Sequence, residues 1–295
     1  MAKKKINVAS NITFIILGIV LMLYALSILV PALWGLMTSL KSANDFEMTN
    51  TLAFPKKLFF GNYAKALENF RIEIPDGAGT RAVYIDEMFL NSVLYGFGMA
   101  VVATIVPCIS AYLCAKFDYK FSRFLFSLVV IIMIIPVVGN MPSMIMVLKA
   151  LYVYDTYVGL IFMKASIGGT YFIIFYSTFK GLSNGYAEAA KIDGASNTCI
   201  MFQIMFPLVK TTIGAVYLLT LISLWNDYMT PLMYYPSHPT AALGLMRYNL
   251  GGGRISTSIP AKLTGAFIVS VPILIVFMFF KKHLMGNLTM GGLKG

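Results

Sequence analysis

Charged residues are scarce in this sequence of 295 residues. Only 12% of them are Asp, Glu, Lys or Arg, whereas about a quarter of the residues in a soluble domain are charged. Hydrophobic residues make up 58% of the chain, and its mean hydropathy is +0.77. This composition excludes an ordinary soluble domain and indicates a protein that is embedded in a lipid bilayer.

Residues that build disulfides, metal centres and nucleotide sites are also few. The three cysteines are Cys108, Cys114 and Cys199, and none is placed to form an extracytoplasmic disulfide. His238 and His283 stand alone, without cysteines or carboxylates at ligand spacing, so we predict no metal site. The chain contains no G-x-x-x-x-G-K-[ST] phosphate loop. We therefore predict no catalytic residue and no cofactor site in this chain.

Long hydrophobic blocks occupy most of the sequence. A helix rises 1.5 Å per residue, so about 20 residues cross about 30 Å of hydrocarbon. The first block is too long for a secretory signal, whose apolar core has about 7–15 residues. We predict an all-α membrane protein with six transmembrane helices and both termini on one side. The blocks are 12–40, 88–115, 124–148, 157–179, 211–234 and 263–280.

The distribution of basic residues predicts the orientation. The chain has 23 Lys and Arg against 12 Asp and Glu, a net charge of +11. With the amino terminus inside, the short cytoplasmic segments contain many Lys and Arg but only Asp118, Glu188 and Asp193 as acids. Basic flanks resist translocation, so both termini are predicted to be cytoplasmic. The positive charge is then a membrane signature and does not indicate nucleic-acid binding.

This topology divides the chain into a transmembrane domain, 12–280, and two cytoplasmic ends, 1–11 and 281–295. The long segment 41–87 and the loop 236–259 are predicted to be extracytoplasmic. The connection between the fourth and fifth helices, 180–210, is cytoplasmic.

The cytoplasmic connection contains the polar stretch YAEAAKIDG, residues 186–194. Its residues are strong helix formers, Ser183 or Asn184 is a candidate cap, and Gly194 stands where a left-handed stop belongs. A second helix is predicted over about 196–206, ending at Pro207. The two helices would form a helix-turn-helix outside the bilayer.

One face of the first predicted helix carries Tyr186, Ala189, Ala190 and Asp193 at positions i, i+3, i+4 and i+7. Two alanines on that face would permit another protein to approach the backbone closely. The alternative is an ordinary amphipathic loop that packs on the protein's own helices.

The string EAAKIDGASNTCIMFQIMFPLVK resembles the Glu-Ala-Ala loop of ABC importer permeases, with its EAA triplet, a glycine after a short gap and a proline that closes the second helix. KIDGAS resembles the carbohydrate branch of that superfamily. PALWGLMTSLKS, FGNYAKAL, FLNSVLYG and LWNDYMTPLMY resemble other elements of the branch, and the terminal LTMGGLKG is similar to the tail of MalG-like subunits. The chain departs from the pattern at Ser183-Asn184-Gly185, where a proline commonly opens the loop.

The resemblance implies a permease subunit, not itself an enzyme, of an ATP-driven, binding-protein-dependent carbohydrate importer in the prokaryotic plasma (inner) membrane. Its implied partners are a second, different permease chain, two ATPase subunits that bind ATP and Mg, an extracytoplasmic solute-binding protein, a saccharide and membrane lipid. The loop would dock on the ATPase. The ATPase-coupling residues would be Tyr186, Glu188, Ala189, Ala190, Asp193 and Gly194, with Glu188 as a charged contact and Gly194 as the turn.

Two ionisable residues, Lys164 and Asp227, lie inside predicted helices near the same outer depth. A charge in the bilayer is costly and usually faces a cavity or a partner. The interpretations are a structural ion pair, snorkelling of Lys164 to the outer headgroups, or a Lys164 that lines the substrate path. Tyr171, Asn226 and Asp227 are further candidates for that path, although Asp227 belongs to the WND element of LWNDYMTPLMY and is also a candidate for an architectural part.

The outer loop contains Gly251, Gly252, Gly253 and Arg254. This sequence is compatible with a flexible connection that has no further role. It is equally compatible with a mobile tip that contacts the binding protein and helps to displace its sugar.

Other classes of membrane protein fit less well. A secondary transporter should show internal repeats with coupling acids near the bilayer midplane, and neither is evident. A membrane enzyme should bring His and acids together at one depth, which no predicted helix does. Within the ABC importers, a permease for an amino acid, a peptide or a phosphonate remains the alternative to a carbohydrate permease.

Overall fold

The computed structural model describes residues 8–77, 79–135, 139–250 and 258–285. The chain divides into two compact units, which are described separately: residues 1–70 with 248–268, and residues 71–247 with 269–295. The first unit contains α1 (Val8–Ser39), α2 (Ala43–Met48) and α3 (Gly61–Asn69). The second unit begins with strands β1 (Arg71–Asp76) and β2 (Gly79–Tyr84).

The second unit continues as a series of helices, of which the last two, α14 and α15, have residues in both units. These helices are α4 (Ile85–Lys116), α5 (Lys120–Ile134), α6 (Asn140–Ala150), α7 (Tyr157–Lys164), α8 (Thr170–Gly181), α9 (Gly185–Ile192), α10 (Asn197–Cys199), a π-helix (Ile200–Met205), α11 (Phe206–Leu208), α12 (Lys210–Trp225), α13 (Met229–Tyr234), α14 (Ala241–Asn249) and α15 (Ile259–Met285).

Among the described residues, three helices are long and apolar enough to cross a membrane. They are Thr13–Ser39 within α1, all of α4, and Ile259–Phe280 within α15. These spans correspond to the predicted first, second and sixth helices. A fourth is obtained if Asn197–Leu208 and Lys210–Trp225, which are bent by 75° at Val209, are counted as one span.

The predicted third, fourth and fifth helices are each interrupted. The third block is divided into α5 and α6, the fourth into α7 and α8, and the fifth into α12 and α13. Glycines take part in two of the breaks: Gly139 precedes α6 with φ +73° and Gly169 precedes α8 with φ +100°. Residues with a Cβ rarely adopt such angles. The count of six transmembrane helices therefore stays a prediction.

A β-hairpin corrects the all-α prediction for the segment 41–87, which is predicted to be extracytoplasmic. Strands β1 and β2 pair antiparallel, with Arg71 opposite Tyr84 and Asp76 opposite Gly79. Ile74 and Val83 are buried, and neighbouring positions along the strands are more exposed, which is the alternation of a half-buried strand. Apolar runs of helical length do not reveal such a hairpin, because its strands are short and alternate between buried and exposed residues.

In the first unit, polar contacts hold the end of α1 against α3. The Nδ2 atom of Asn62 donates to the carbonyl oxygens of Ser39 at 2.8 Å and Lys41 at 2.7 Å. The Ser39 hydroxyl lies 2.8 Å from the Tyr63 hydroxyl. Lys41 is fully buried, and its Nζ donates to the Thr51 carbonyl at 3.2 Å. The predicted FGNYAKAL element thus orders the chain that follows the first membrane helix.

In the second unit, the connection between α6 and α7 is clamped to the segment after α13. The Asp155 carboxylate accepts hydrogen bonds from the Ser237 amide at 3.2 Å and the Ser237 hydroxyl at 2.6 Å. The Tyr154 hydroxyl donates to the Met233 carbonyl at 3.1 Å. Burial, and then the Asp155 carboxylate, raise the pKa of the nearby Tyr235 phenol. Tyr235 therefore remains a neutral phenol at neutral pH.

Candidate functional site

The predicted first coupling helix is present as α9. At its start, the Ser183 hydroxyl accepts a hydrogen bond from the Gly185 amide at 3.2 Å. The Asn184 side chain does not cap the helix; its Oδ1 accepts from Lys116 Nζ at 2.9 Å. Of the two candidate caps, Ser183 contacts the start of the helix, and Asn184 binds another part of the chain.

The turn after α9 is made by Gly194, whose φ is +83°. The left-handed stop predicted at this glycine is therefore present. The Ser196 hydroxyl then accepts from the Cys199 amide at 3.2 Å and caps the next helix. A capping hydroxyl of this kind satisfies one of the free amides in the first turn.

The second coupling helix, Asn197–Leu208, comprises α10, the π-helix and α11. The predicted end at Pro207 is within one residue of the observed end at Leu208, and Pro207 itself lies inside the last turn. A proline inside an α-helix lacks an N–H and clashes with the carbonyl four residues earlier. The π-helix that immediately precedes α11 offers a local change of hydrogen bonding at the place where this conflict arises.

Most of the predicted coupling residues are exposed. Tyr186, Glu188, Ala189, Asp193 and Gly194 are exposed. The surface they form on α9 and its turn is called the coupling surface below.

Ala190 differs from the rest of the predicted set, since it is only 7% exposed and belongs to a core with Ile200 and Met205. The inward side of α9 is formed by Ala187 and Ala190, three residues apart. Ala190 therefore packs on its own chain. Of the two alanines on the predicted docking face, only Ala189 is exposed.

Ile192 is 86% exposed at the end of α9. It was not among the predicted coupling residues. A large aliphatic side chain with this exposure, between Lys191 and Asp193 on a predicted cytoplasmic loop, is available to contact another protein. Its apolar character within the polar stretch AKIDG was the available signal. We add Ile192 to the coupling surface.

Aromatic side chains pack the second coupling helix against α4 and α8. The ring of Tyr112 on α4 lies 5.3 Å from that of Phe179 on α8 and 6.3 Å from that of Phe206 in the second coupling helix. The rings of Phe179 and Phe206 are 6.1 Å apart. Such spacings are typical of packed aromatic pairs.

A polar cluster joins α4, α7 and the break between α12 and α13. Lys164 Nζ lies 3.6 Å from Asp227 Oδ2 and 3.5 Å from the Thr230 hydroxyl. The same Asp227 oxygen accepts from the Tyr95 hydroxyl at 2.7 Å. The other oxygen of Asp227 accepts from the Thr230 amide at 2.9 Å. The ion pair of Lys164 with Asp227, which is one of the interpretations that the sequence leaves open, is thus observed, and its partners Tyr95 and Thr230 were not predicted.

The remaining candidates for the substrate path do not join this cluster. Asn226 is exposed, and its side-chain amide donates to the Ile222 carbonyl at 2.8 Å. Tyr171 is half-buried and packs against the core that contains Phe172 and Phe175. The candidates Gly251, Gly252, Gly253 and Arg254 lie outside the described residues.

Three curated proteins are similar to most of this chain. The arabinooligosaccharides transport system permease protein AraQ of Bacillus subtilis is 27% identical over 95% of this chain and 96% of its own length. The diacetylchitobiose uptake system permease protein NgcG of Streptomyces coelicolor is 26% identical over 92% and 86%. The melibiose/raffinose/stachyose import permease protein MelC of Bacillus subtilis is 24% identical over 88% and 89%.

Two solved structures share the fold. A chain of a bacterial ABC transporter involved in the import of the acidic polysaccharide alginate matches with a TM-score of 0.74 and 19% identity, over 95% of this chain and 99% of that chain. A chain of the bacterial alginate ABC transporter in complex with an alginate pentasaccharide-bound periplasmic protein matches with a TM-score of 0.63 and 13% identity, over 92% and 93%.

A family model matches residues 103–288, which include the coupling loop and the Lys164–Asp227 cluster. Together with the curated relatives, this match confirms the predicted resemblance to the ABC importer permeases, which are transport subunits and not enzymes. This chain belongs to the family of binding-protein-dependent transport system inner membrane components.

Proposed function

We propose that this chain forms half of the translocation pathway of an ATP-driven importer for an oligosaccharide or a sugar derivative. The observation that carries the sugar class is the similarity, over 88–95% of the chain, to permeases named for arabinooligosaccharides, diacetylchitobiose and melibiose/raffinose/stachyose. It favours a saccharide over an amino acid, a peptide or a phosphonate.

The membrane arrangement that we propose has six crossings, with both termini in the cytoplasm of a prokaryotic cell and the chain in its inner membrane. The family description as an inner membrane component supports the location. Three crossings would each consist of two shorter helices. Backbone that is not helical is tolerated at membrane depth where it is buried in protein or lines a cavity. A translocation pathway provides such a cavity.

The coupling surface would dock on a separate ATPase subunit. Its exposed apolar group, Ile192, lies next to Lys191 and Asp193, and Glu188 is exposed one turn before Ile192. An apolar anchor with charges beside it is a common centre of a protein interface. Two ATPase copies, one for each permease chain, would bind ATP and Mg and supply the energy.

A second, different permease chain and an extracytoplasmic binding protein complete the proposed complex. The apolar window of α1 has no buried residue, so this helix must be covered by lipid or by the other permease chain. The binding protein is supported by a solved structure of similar fold, whose title describes a periplasmic protein in complex with the alginate transporter. The segment 251–254 stays our candidate for its contact.

Along the substrate path, we assign Asp227 an architectural part, because both its oxygens are occupied. Lys164 is held more loosely: its contacts with Asp227 and Thr230 are 3.6 Å and 3.5 Å long, and its side chain is 23% exposed. A hydroxyl-rich or acidic saccharide can compete for this ammonium group. Asn226 and Tyr171 remain proposed contacts further along the path.

In the proposed transport cycle, ATP binding closes the ATPase dimer and brings the two coupling loops together. The permease helices then open outward to receive the sugar from the binding protein. Hydrolysis separates the ATPase subunits, and the pathway opens inward.

ATP hydrolysis in proteoliposomes tests this function. The complete complex would be reconstituted with its binding protein, and a panel of neutral and acidic oligosaccharides would be offered to the wild type and to Glu188→Lys. Asp118→Lys is the matched control, because it reverses a charge with 89% side-chain exposure outside the coupling surface. We expect saccharide-stimulated hydrolysis in the wild type and the control and its collapse in Glu188→Lys. Absence of stimulation by every saccharide would contradict the carbohydrate assignment.

A further inference from the structure

Lys116 is the last residue of α4, and it binds the coupling loop directly. Its Nζ donates to the Leu182 carbonyl at 2.6 Å and to Asn184 Oδ1 at 2.9 Å. Leu182 is the residue that follows α8, and Asn184 is the residue that precedes α9. One ammonium group thus connects the ends of three helices.

The chemistry of these contacts explains why a lysine serves there. The last carbonyls of a helix have no partner within the helix, and an ammonium group has three N–H donors. Both acceptors of Lys116 are uncharged oxygens. The contact therefore depends on short, directed hydrogen bonds, which a methionine of similar length cannot make.

The far end of the coupling loop contacts α4 one turn before Lys116. Tyr112 precedes Lys116 by one helical turn, and its ring packs against Phe206 in the second coupling helix at 6.3 Å. Lys116 binds the beginning of the loop and Tyr112 its end, although α4 is not adjacent to the loop in sequence. The loop is thus fastened at both ends to a helix other than the two it connects.

We propose that the last turn of α4 is the point at which movement of the coupling loop enters the membrane helices, and that Lys116 is the positioning residue that makes loop and helix move together. This inference rests on the proposed docking of the loop on an ATPase. In this proposal, α4 transmits the movement of the ATPase subunits to the membrane helices. It does so together with α8 and α12, which are covalently attached to the loop.

The position of α4 in the fold is suited to this task. It packs along both α8 and α12, and it runs without interruption from Lys116 back to Ile85. Further along the same helix, the Tyr95 hydroxyl binds Asp227. At 1.5 Å per residue, Tyr95 lies about 30 Å from Lys116 along the axis. A shift of the cytoplasmic end would therefore reach the Lys164–Asp227 cluster through one helix.

The number of saccharide molecules imported per ATP hydrolysed tests the inference. It would be measured in proteoliposomes that contain the complete complex and its binding protein, for the wild type, Lys116→Met and Lys116→Arg. We expect Lys116→Met to hydrolyse ATP but to import about five- to tenfold fewer molecules per ATP, the lower part of the range for coupling between sites. Lys116→Arg should restore the ratio, because arginine also offers several donors.

Lys120→Met is the matched control, since it removes an exposed lysine from the start of the neighbouring α5, outside the coupling loop, and its ratio should equal that of the wild type. An unchanged ratio in Lys116→Met would overturn the inference. If Lys116→Met does not assemble, Asn184→Ala replaces it, because this exposed residue supplies only one of the two acceptors. A lower ratio then supports the inference, and a wild-type ratio overturns it.

Failure of the proposed function is recognised separately. It would appear in the wild-type complex itself, as absence of saccharide-stimulated hydrolysis and import. Failure of the inference would appear in a working wild type whose import per ATP is insensitive to Lys116.

Discussion

The ammonium group of Lys164 lies 3.6 Å from the carboxylate of Asp227, and each residue stands at the interruption of a predicted transmembrane helix. Lys164 is the last residue of α7, and Asp227 lies between α12 and α13. Broken helices at membrane depth need internal partners for their polar groups. The Asp227 carboxylate supplies such a partner to the Thr230 amide at the break between α12 and α13, and the ion pair connects this break to the end of α7.

Asp227→Ala should destabilise the protein more than Lys164→Met. The alanine leaves the Lys164 ammonium, the Tyr95 hydroxyl and the Thr230 amide without their acceptor, and breaking a buried ion pair costs about 3–5 kcal/mol. The side chains retain 23% and 19% exposure, so we expect about 3 kcal/mol for Asp227→Ala.

Lys164→Met removes the two long contacts and the contact of the ammonium group with the Tyr95 ring but leaves the short hydrogen bonds of Asp227 in place, and we expect it to cost about 1–2 kcal/mol. The apparent melting temperatures of the two variants, purified in the same detergent, measure this difference. An equal or larger decrease for Lys164→Met would show that Asp227 is not the centre of the cluster.

Gly194→Ala should weaken ATPase docking without disturbing the core. No atom lies within 4 Å of a Cβ built at Gly194, but its φ of +83° is strained for alanine, at a cost of about 1–2 kcal/mol. We expect the turn after α9 to change its angle, and the coupling surface with it. Copurification of the tagged ATPase with the permease measures the effect.

Gly185→Ala is the control for this substitution. Gly185 is not among the glycines with positive φ, and alanine favours the helix that begins there. Normal copurification with both variants would mean that the angle of the turn is unimportant for docking.

Ile192→Ser should lower the affinity for the ATPase and leave the stability of the isolated permease unchanged. The side chain is 86% exposed, so it contributes little to the core. Burial of such a side chain in an interface contributes about 1.5–3 kcal/mol, which corresponds to an affinity loss of about 10- to 100-fold. A titration of the permease with the ATPase measures it. Ile192→Val should retain most of the affinity, and equal binding by both variants would exclude Ile192 from the contact.

Asp155→Ala should loosen the clamp between the segment before α7 and the segment after α13. It removes the acceptor of both Ser237 hydrogen bonds and places alanine at a φ of +59°. Together these changes should lower the stability by about 2–3 kcal/mol. Asp155→Asn keeps an acceptor and tolerates this backbone conformation, so its melting temperature should lie close to that of the wild type. Equal melting temperatures for both variants would contradict the clamp.

The sequence predicted those features that depend on local composition and helical spacing. The predicted first, second and sixth membrane helices are long apolar runs, Gly194 stands after a series of helix formers, and the common depth of Lys164 and Asp227 made an ion pair one of the open interpretations. Each of these follows from the period and rise of one helix.

The features that were missed depend on contacts between distant segments. The helical period placed Ala190 near Ala189, but only the packing of α9 on Ile200 and Met205 decides that Ala190 faces inward. The break before α8 is stabilised by a hydrogen bond from the Ser110 hydroxyl on α4 to the Ile167 carbonyl, at 2.9 Å. A single sequence does not reveal such partners, even where Gly168-Gly169 marks the place of the break.

The π-helix at Ile200–Met205 has a consequence for insertions and deletions in this loop. A π-turn holds one more residue than an α-turn, so loss of a single residue there would convert it to a regular α-helix. Because a π-turn and an α-turn each complete one turn of the helix, such a conversion would absorb the deleted residue and keep the angular relation between the two ends of the second coupling helix. Phe206 could then still face Tyr112 while Ile200 stayed in the core. This helix should therefore tolerate the loss of one residue, whereas the same loss in a regular α-helix would turn its far end by about 100°.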